Sequence, residues 1–452
     1  MLFHSTNYNS PEVDFTTIIL NGQALDKGLY MPNDIPKLKS EYISSFSEYS
    51  FQEIAVKILE SIIDGAIPFQ KLKEIILHAL NFEVPIEKFD QNNYICFLDR
   101  GPTNSFKDFG ARVLARLLEY VLEREERNIV ILTATSGDTG GAVAQAFHRM
   151  KHIQAIVLYP KNEISILQRK QMTTLGENVT AIGIEGKFDD CQRLVKRAFA
   201  DKDLEDLNLS SANSINFGRL LPQSIYYFYS YSRIVESNKE KVIFSVPSGN
   251  FGNLTGGLLA LRMGLPIERF IAAVNENDEF TKFLRTGKYE QVNPSKECIS
   301  NAMNVGHPSN LARIFDLYDG QIDNEGFIIK TPNLNAMRND IVSFSISDSV
   351  TRETIINFYR KFNKIIEPHG AVGWAALNMY RKQYSKSSSI KAISFETADP
   401  AKFPEEIQSL INVEPPIPQT LNETQNKKEI FIHNRIISYQ DFKQFLQNKY
   451  IE

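Results

Sequence analysis

Ile129-Val130-Ile131-Leu132-Thr133-Ala134-Thr135-Ser136-Gly137-Asp138-Thr139-Gly140-Gly141 runs from a β-branched apolar stretch straight into hydroxyls and glycines. Its first five residues read as a buried strand, and helical spacing follows near 139–151. The same grammar repeats outward. Ala155–Tyr159 and Val179–Ile184 read as strands, with helical stretches near 163–175 and 188–200. A second series holds Val242–Val246 and Phe270–Val274, separated by a helix near 252–263. Alternation of this kind implies parallel sheets with helices on both faces. Two series predict an α/β fold of two open parallel-sheet units facing a cleft. The smaller lobe is expected at about 125–210, within a region spanning 89–411. Ligands of such sheets collect at the carboxyl ends of the strands, where both glycine loops fall.

The flanks read differently. Residues 1–88 are expected to form a helical N-terminal domain, with helices over Phe51–Ile63 and Phe69–Leu80 and turns at 20–22 and 26–32. Ser5-Thr6-Asn7 is read as a capping segment. From about Asn412, Glu414-Pro415-Pro416-Ile417-Pro418 reads as a stiff linker before the polar run Asn422–Lys428. A short strand and one amphipathic helix are expected over Ile430–Tyr450.

Composition narrows the function. A chain of 452 residues exceeds one simple core, so two or three domains are expected. Fifty basic residues against 54 acidic ones, without a basic block interleaved with aromatics, argue against nucleic acid. No apolar run reaches bilayer length, and the opening Met1-Leu2-Phe3-His4-Ser5 has no signal-peptide pattern. No membrane partner and a cytoplasmic location are therefore expected. The three cysteines, Cys96, Cys191 and Cys298, are far apart, which excludes a disulfide scaffold and argues against zinc. No metal is expected.

Chemistry concentrates in three places. Gly101-Pro102-Thr103-Asn104-Ser105-Phe106-Lys107-Asp108-Phe109-Gly110-Ala111-Arg112 sets a lysine between two phenylalanines at the start of a helix reaching about Glu123. Desolvation there favours the free amine, the form that attacks carbonyls. The same residues also fit a surface lysine snorkelling over its aromatic neighbours. The loop Thr133–Gly141 offers hydroxyls and amides at a helix start, a site for an anion such as a small carboxylate. It lacks the Lys-Ser/Thr ending of a nucleotide loop. The loop Ser245–Gly257 has glycines but no cation, which suits a monophosphate held by backbone amides. One lysine and two anion loops are what pyridoxal 5'-phosphate requires: an imine-forming amine, a phosphate cradle and a carboxylate site.

Here a resemblance enters. The segments Gly101-Pro102-Thr103 with Phe106–Gly110, Thr133–Gly140, Phe188–Gln192, Asn213–Arg219, Val246–Asn253, Pro308-Ser309-Asn310, Pro368-His369, Ala371–Gly373 and Thr397-Ala398 with Pro400–Phe403 occur in the order seen in the threonine synthases. The chain resembles that family, of the tryptophan-synthase-β-like fold type, over roughly residues 1–410. The resemblance implies a reaction, O-phospho-L-homoserine and water giving L-threonine and phosphate by β,γ-replacement. It also implies that Lys107 is the Schiff-base lysine. Ser248, Gly249, Asn250, Phe251, Gly252 and Asn253 would cradle the cofactor phosphate, and Thr397 would face the pyridine nitrogen. Ser136, Gly137, Asp138 and Thr139 would receive the substrate carboxylate. Asn216, Arg219 and, more weakly, Lys170 are candidates for the substrate phosphate, and His369 for structural support. The chain departs from the family pattern at Arg100 and Asp399, where histidines are common, and at Gly370, where threonine is frequent. Alternatives are a phospho-amino-acid phospholyase on the same fold and a non-catalytic phosphometabolite-binding protein.

Overall fold

The computed structural model describes residues 1–135, 137–237, 239–430 and 438–450. Every residue of strand Val242–Pro247 is buried, as expected of an apolar run covered by helices on both faces. It lies third in a six-stranded sheet ordered Ile341–Ser345, Ile267–Val274, Val242–Pro247, Ala392–Glu396, Asn93–Phe97 and Ile86–Lys88. The first five strands are parallel, and short Ile86–Lys88 closes the edge antiparallel. Phe244, Phe270 and Phe395 share one face of the sheet, and the ring of Tyr227 meets all three edge-on. Such tilted aromatic contacts add about 0.5–1.5 kcal/mol per pair beyond burial.

The second sheet has four parallel strands ordered Val179–Ile184, Ile153–Pro160, Ile129–Ala134 and Leu209–Ser210. Helices Asp138–Phe147, Ile166–Thr173 and Phe188–Phe199 alternate with its strands, as the hydrophobic periodicity predicts. Two parallel-sheet α/β units are therefore present, as expected.

The first 88 residues are not purely helical. Val13–Asp14, Leu2–Ser5 and Tyr30–Pro32 form a three-stranded antiparallel sheet, with helix Phe15–Asn21 between its last two strands in the chain. Strands of two to four residues leave no periodicity to read. Ser5 and Thr6 fasten this sheet to the following turn: Ser5 Oγ donates to Asp26, and Thr6 Oγ1 accepts from the Leu29 amide. Helix Phe51–Ile63 follows its sequence signals. Ser50 and Glu53 make a capping box, and Asp64 closes the other end in the left-handed region.

At the other end, a helix spans Gln419–Gln425 and takes in the start of the polar run, with Leu421 wholly buried against the body. A second helix spans Tyr439–Tyr450 and buries Phe442 and Leu446 against the smaller sheet's core. The short strand expected just after Ile430 falls on residues 431–437, outside the described residues. Among the described residues no helix is long and apolar enough to cross a membrane.

Candidate active site

The carboxyl ends of both sheets open on one cavity of about 1250 Å³. Ala134, Thr135, Asp138 and Thr139 line it from the smaller lobe, and Pro247 with residues 249–253 from the larger. Phe106, Lys107, Arg219, His369 and Thr397 complete the inner wall.

Lys107 begins helix Lys107–Glu125. The preceding loop is fixed by groups that its own sequence supplies: Asp108 accepts from the amide and the hydroxyl of Thr103, both at 2.8 Å. The loop is also stitched to the segment after strand Ala392–Glu396. The Phe106 amide donates to the Thr397 carbonyl, and the Asp399 amide to the Asn104 carbonyl. The Lys107 amine stands 4.3 Å from the centre of the Phe106 ring and makes no hydrogen bond among the described residues. Burial, reinforced by the nearby Arg219 charge and opposed by Asp138, lowers its pKa to about 7. Near neutrality about half of such amines are unprotonated, which readies the group for carbonyl attack.

The second glycine loop is neutral throughout. Ser248 donates its amide to the Ala273 carbonyl and its hydroxyl to the Val246 carbonyl, so its side chain braces the loop and does not line the cavity. A Cβ on Gly249 would come within 2.6 Å of the Met303 backbone, so only glycine allows this close approach. Asn250 accepts from the Ser309 amide at 2.6 Å and donates to Ser214, and Asn310 donates to the Asn250 carbonyl and to Ser214. Fully buried Arg313 ties Asn310, Ser214 and Ile215 to Tyr30 of the N-terminal sheet. Helix Gly252–Arg262 starts after Phe251, whose φ is 58°, and has no side-chain cap. Its first amides are therefore left for an anion. Asn253 accepts from Tyr226 and Tyr227, while its buried amide nitrogen has no partner among the described residues.

The first glycine loop is built differently. Thr135 Oγ1 accepts from the amides of Gly137 and Gly140. Gly137 has φ +135°, which side-chain-bearing residues rarely adopt, and packs on Gln168. Helix Asp138–Phe147 has glycine at its N-cap, and Thr135, through the Gly140 amide, supplies its one side-chain cap among the described residues. Buried Asp138 accepts from Lys402 Nζ at 2.9 Å and from Gln168 at 3.1 Å. Burial works against its charge, yet Lys402 outweighs that and leaves the carboxyl below its usual range. This carboxylate is engaged with a cation and cannot itself bind a substrate carboxylate. Ser136 lies outside the described residues.

The remaining expected residues separate. Arg219 reaches the cavity wall with one hydrogen bond, to the Ala212 carbonyl, and no ion-pair partner among the described residues. Burial lowers its pKa to about 10. Asn216 does not reach the wall. Its side chain caps Phe217–Leu220 and donates to the carbonyls of Ile19 and Ser211, which uses all its hydrogen-bonding groups. Lys170 donates to the Gln425 carbonyl in the tail, also away from the wall.

Residues given no role in the sequence carry much of the support. Glu367, entirely buried, accepts from the amides of His369 and Gly370, the His369 ring and the Thr397 hydroxyl. A carboxylate just before Pro368 is a helix-start signal that would have flagged it. His369 in turn accepts from the Ala302 amide, holding the 301–303 turn against the cavity. Two of the departures meet: Arg100 lies 3.5 Å from Asp399 and 3.3 Å from Asp99. The third is steric, since a Cβ at Gly370 would stand 1.7 Å from a Glu396 oxygen.

Known proteins match along the whole chain. The pyridoxal-phosphate dependent enzyme family model matches residues 87–394, the threonine synthase N-terminus model residues 2–80, and the threonine synthase C-terminal model residues 370–445. The threonine synthase of Haemophilus influenzae is 39% identical over 93% of this chain and 94% of its own. The crystal structure of threonine synthase from Escherichia coli superposes with a TM-score of 0.89 at 33% identity, covering 99% of this chain and all of the other. The pyridoxal-phosphate-bound threonine synthase of Brucella melitensis gives 0.91 at 32%, covering both chains fully.

A lysine amine held near neutrality between two glycine-rich helix starts, on this fold, marks a pyridoxal-phosphate-dependent enzyme. The residues present fit that cofactor: the orphaned Asn253 amide, the uncapped helix at Gly252 and the Gly249 cradle all await an anionic guest. Within that class the chain belongs to the threonine synthase family.

Proposed function

We propose that this chain converts O-phospho-L-homoserine and water into L-threonine and inorganic phosphate in the cytoplasm, with Lys107 as its catalytic residue. The observation that carries the reading is the Lys107 amine, unbonded among the described residues, its pKa brought to about 7 at the wall of a cavity between two glycine loops. The substrate is a small molecule; neither nucleic acid nor membrane enters the reading. Three free, buried cysteines are consistent with a reducing compartment.

In this reading the amides of residues 249–253 would hold the cofactor phosphate, Thr397 would stand at the ring nitrogen, and Lys107 would be the amine that holds the aldehyde end. When bound, the cofactor supplies an electron-withdrawing system that makes the protons on Cα and Cβ of the amino acid acidic. The backbone of the 136–139 loop receives the substrate carboxylate, which fixes Cα next to Lys107. The Lys107 amine takes the Cα proton. Its lowered pKa suits it both to accept this proton and to return it near pH 7. Arg219, a cation on the wall with no ion-pair partner among the described residues, holds the substrate phosphate and favours its departure from Cγ. Loss of a Cβ proton accompanies that departure, a proton returns to Cγ, and water adds its hydroxyl at Cβ. The atoms balance as phosphate lost and water gained.

Purified protein supplied with O-phospho-L-homoserine should release equal amounts of L-threonine and phosphate. Phosphate accompanied by ammonia and a keto acid would make it a phospholyase instead, and no turnover would leave only a binding protein.

A further inference from the structure

Asp138 presents a puzzle that the proposed function sharpens. Its carboxylate starts helix Asp138–Phe147 on the cavity wall, in the loop assigned to an incoming carboxylate. Two carboxylates in one water-poor site repel each other strongly. Lys402 answers the problem from the far end of the chain. Its side chain is entirely buried, and its amine sits 2.9 Å from Asp138, its only ion-pair partner among the described residues. Gln168 donates to the same carboxylate oxygen.

The sequence around Lys402 delivers it there. Asp399 caps the short turn Pro400–Lys402 by accepting from the Ala401 amide, and the Lys402 amide donates to the Asp399 carbonyl. The Asp399 amide is itself bound to the Asn104 carbonyl in the Lys107 loop. The lysine's backbone thus belongs to the Thr397–Lys107 side of the cavity, while its amine reaches the opposite lobe.

We propose that Lys402 is a positioning and specificity residue: by cancelling the Asp138 charge it lets the 133–140 loop accept the substrate carboxylate. This rests on the functional reading above and names the device that makes that loop an anion site despite its own acid. Without Lys402, Asp138 repels the substrate. Without Asp138, the Lys402 charge remains and draws the substrate in.

The two directions differ, and that separates charge control from a mere brace. Cofactor-loaded protein is titrated with L-threonine and with 1-amino-2-propanol, which keeps the amine and hydroxyl but lacks the carboxylate, following cofactor absorbance. Lys402→Met should weaken L-threonine binding about tenfold or more and leave 1-amino-2-propanol within about threefold. Asp138→Asn should hold or tighten L-threonine binding, and the double variant should recover most of the Lys402→Met loss. If Lys402→Met does not fold, Asp138→Asn and the double variant are compared with the unmodified protein: L-threonine binding kept within about threefold in both supports the proposal, and a loss of about tenfold or more in either overturns it. Equal weakening of both ligands by both single variants would reduce the pair to a brace and overturn the proposal. An unmodified protein that shows neither an absorbance response to L-threonine nor threonine formation would instead overturn the functional reading.

Discussion

The two glycine-rich loops look alike in sequence and are built on opposite electrostatic plans. Both leave a buried parallel strand, both open a helix whose N-cap residue gives no side-chain hydrogen bond, and both reach the same cavity. The 245–257 loop has no charged residue and is held by Ser214, Asn310, Ser309 and two tyrosines. The 133–141 loop carries an internal acid and its buried counter-cation. A site that keeps one resident phosphate gains from a rigid neutral cradle, since backbone amides need no reorganisation. A site that receives and releases a substrate can have its affinity set by a balanced charge pair. The lesson is that glycine pattern announces an anion loop, while distant partners decide what kind.

Gly249→Ala should produce the largest separation between the loops. Its Cβ would collide with backbone at Met303, a displacement of about 3 kcal/mol, so cofactor affinity should fall about a hundredfold. Fluorescence or absorbance titration of the cofactor-free chain measures this, and unchanged affinity would remove the 249–253 cradle from the account. Next comes the pH dependence of cofactor capture. Burial and the Arg219 charge bring Lys107 to about 7, and only the neutral amine reacts. The capture rate should therefore climb about tenfold per pH unit below 7 and level off above it, whereas a rate still climbing toward pH 10 would mean an ordinary lysine.

Gly137→Ala probes the other loop. Strain at φ +135° of about 1–3 kcal/mol should raise the substrate KM about tenfold while cofactor affinity stays within about threefold. Steady-state kinetics beside a cofactor titration would show it, and loss of cofactor from this variant would erase the division between the loops. The smallest effect belongs to Arg100→Ala, beside the Asp399 turn that carries Lys402. Arg100 is about one-third exposed, so losing its pairing with Asp99 and Asp399 should cost about 1 kcal/mol and lower Tm by about 2 °C. Thermal melts would register that, and a fall several times larger would give this pair a structural weight not assigned to it here.

Strands such as Val242–Val246 and Ile129–Leu132 could be read from sequence because they are nearly continuous apolar runs, whereas Ala392–Glu396, Asn93–Phe97 and Ile341–Ser345 of the larger sheet are interrupted or bounded by polar residues and could not. The antiparallel sheet at the N-terminus could not, since its strands are two to four residues long and mix polar with apolar. Helix Gln419–Gln425 was hidden because a single buried residue, Leu421, anchors an otherwise polar segment. Among site residues, Lys107 and the 249–253 loop announce themselves locally, by aromatic neighbours and glycine spacing. The roles of Asp138 and Asn216 do not, because they depend on partners up to 264 residues away: Lys402 for the first, Ile19 and Ser211 for the second. Glu367 was legible only as a cap, and its grip on Thr397 and His369 required the fold.

The most direct test of the whole account is borohydride reduction of the cofactor-loaded protein followed by peptide mapping. The account predicts a yellow protein that loses its colour on reduction and carries the pyridoxyl mass on the peptide containing Lys107. A colourless protein, or the same mass on Lys402 or any other lysine, would contradict it.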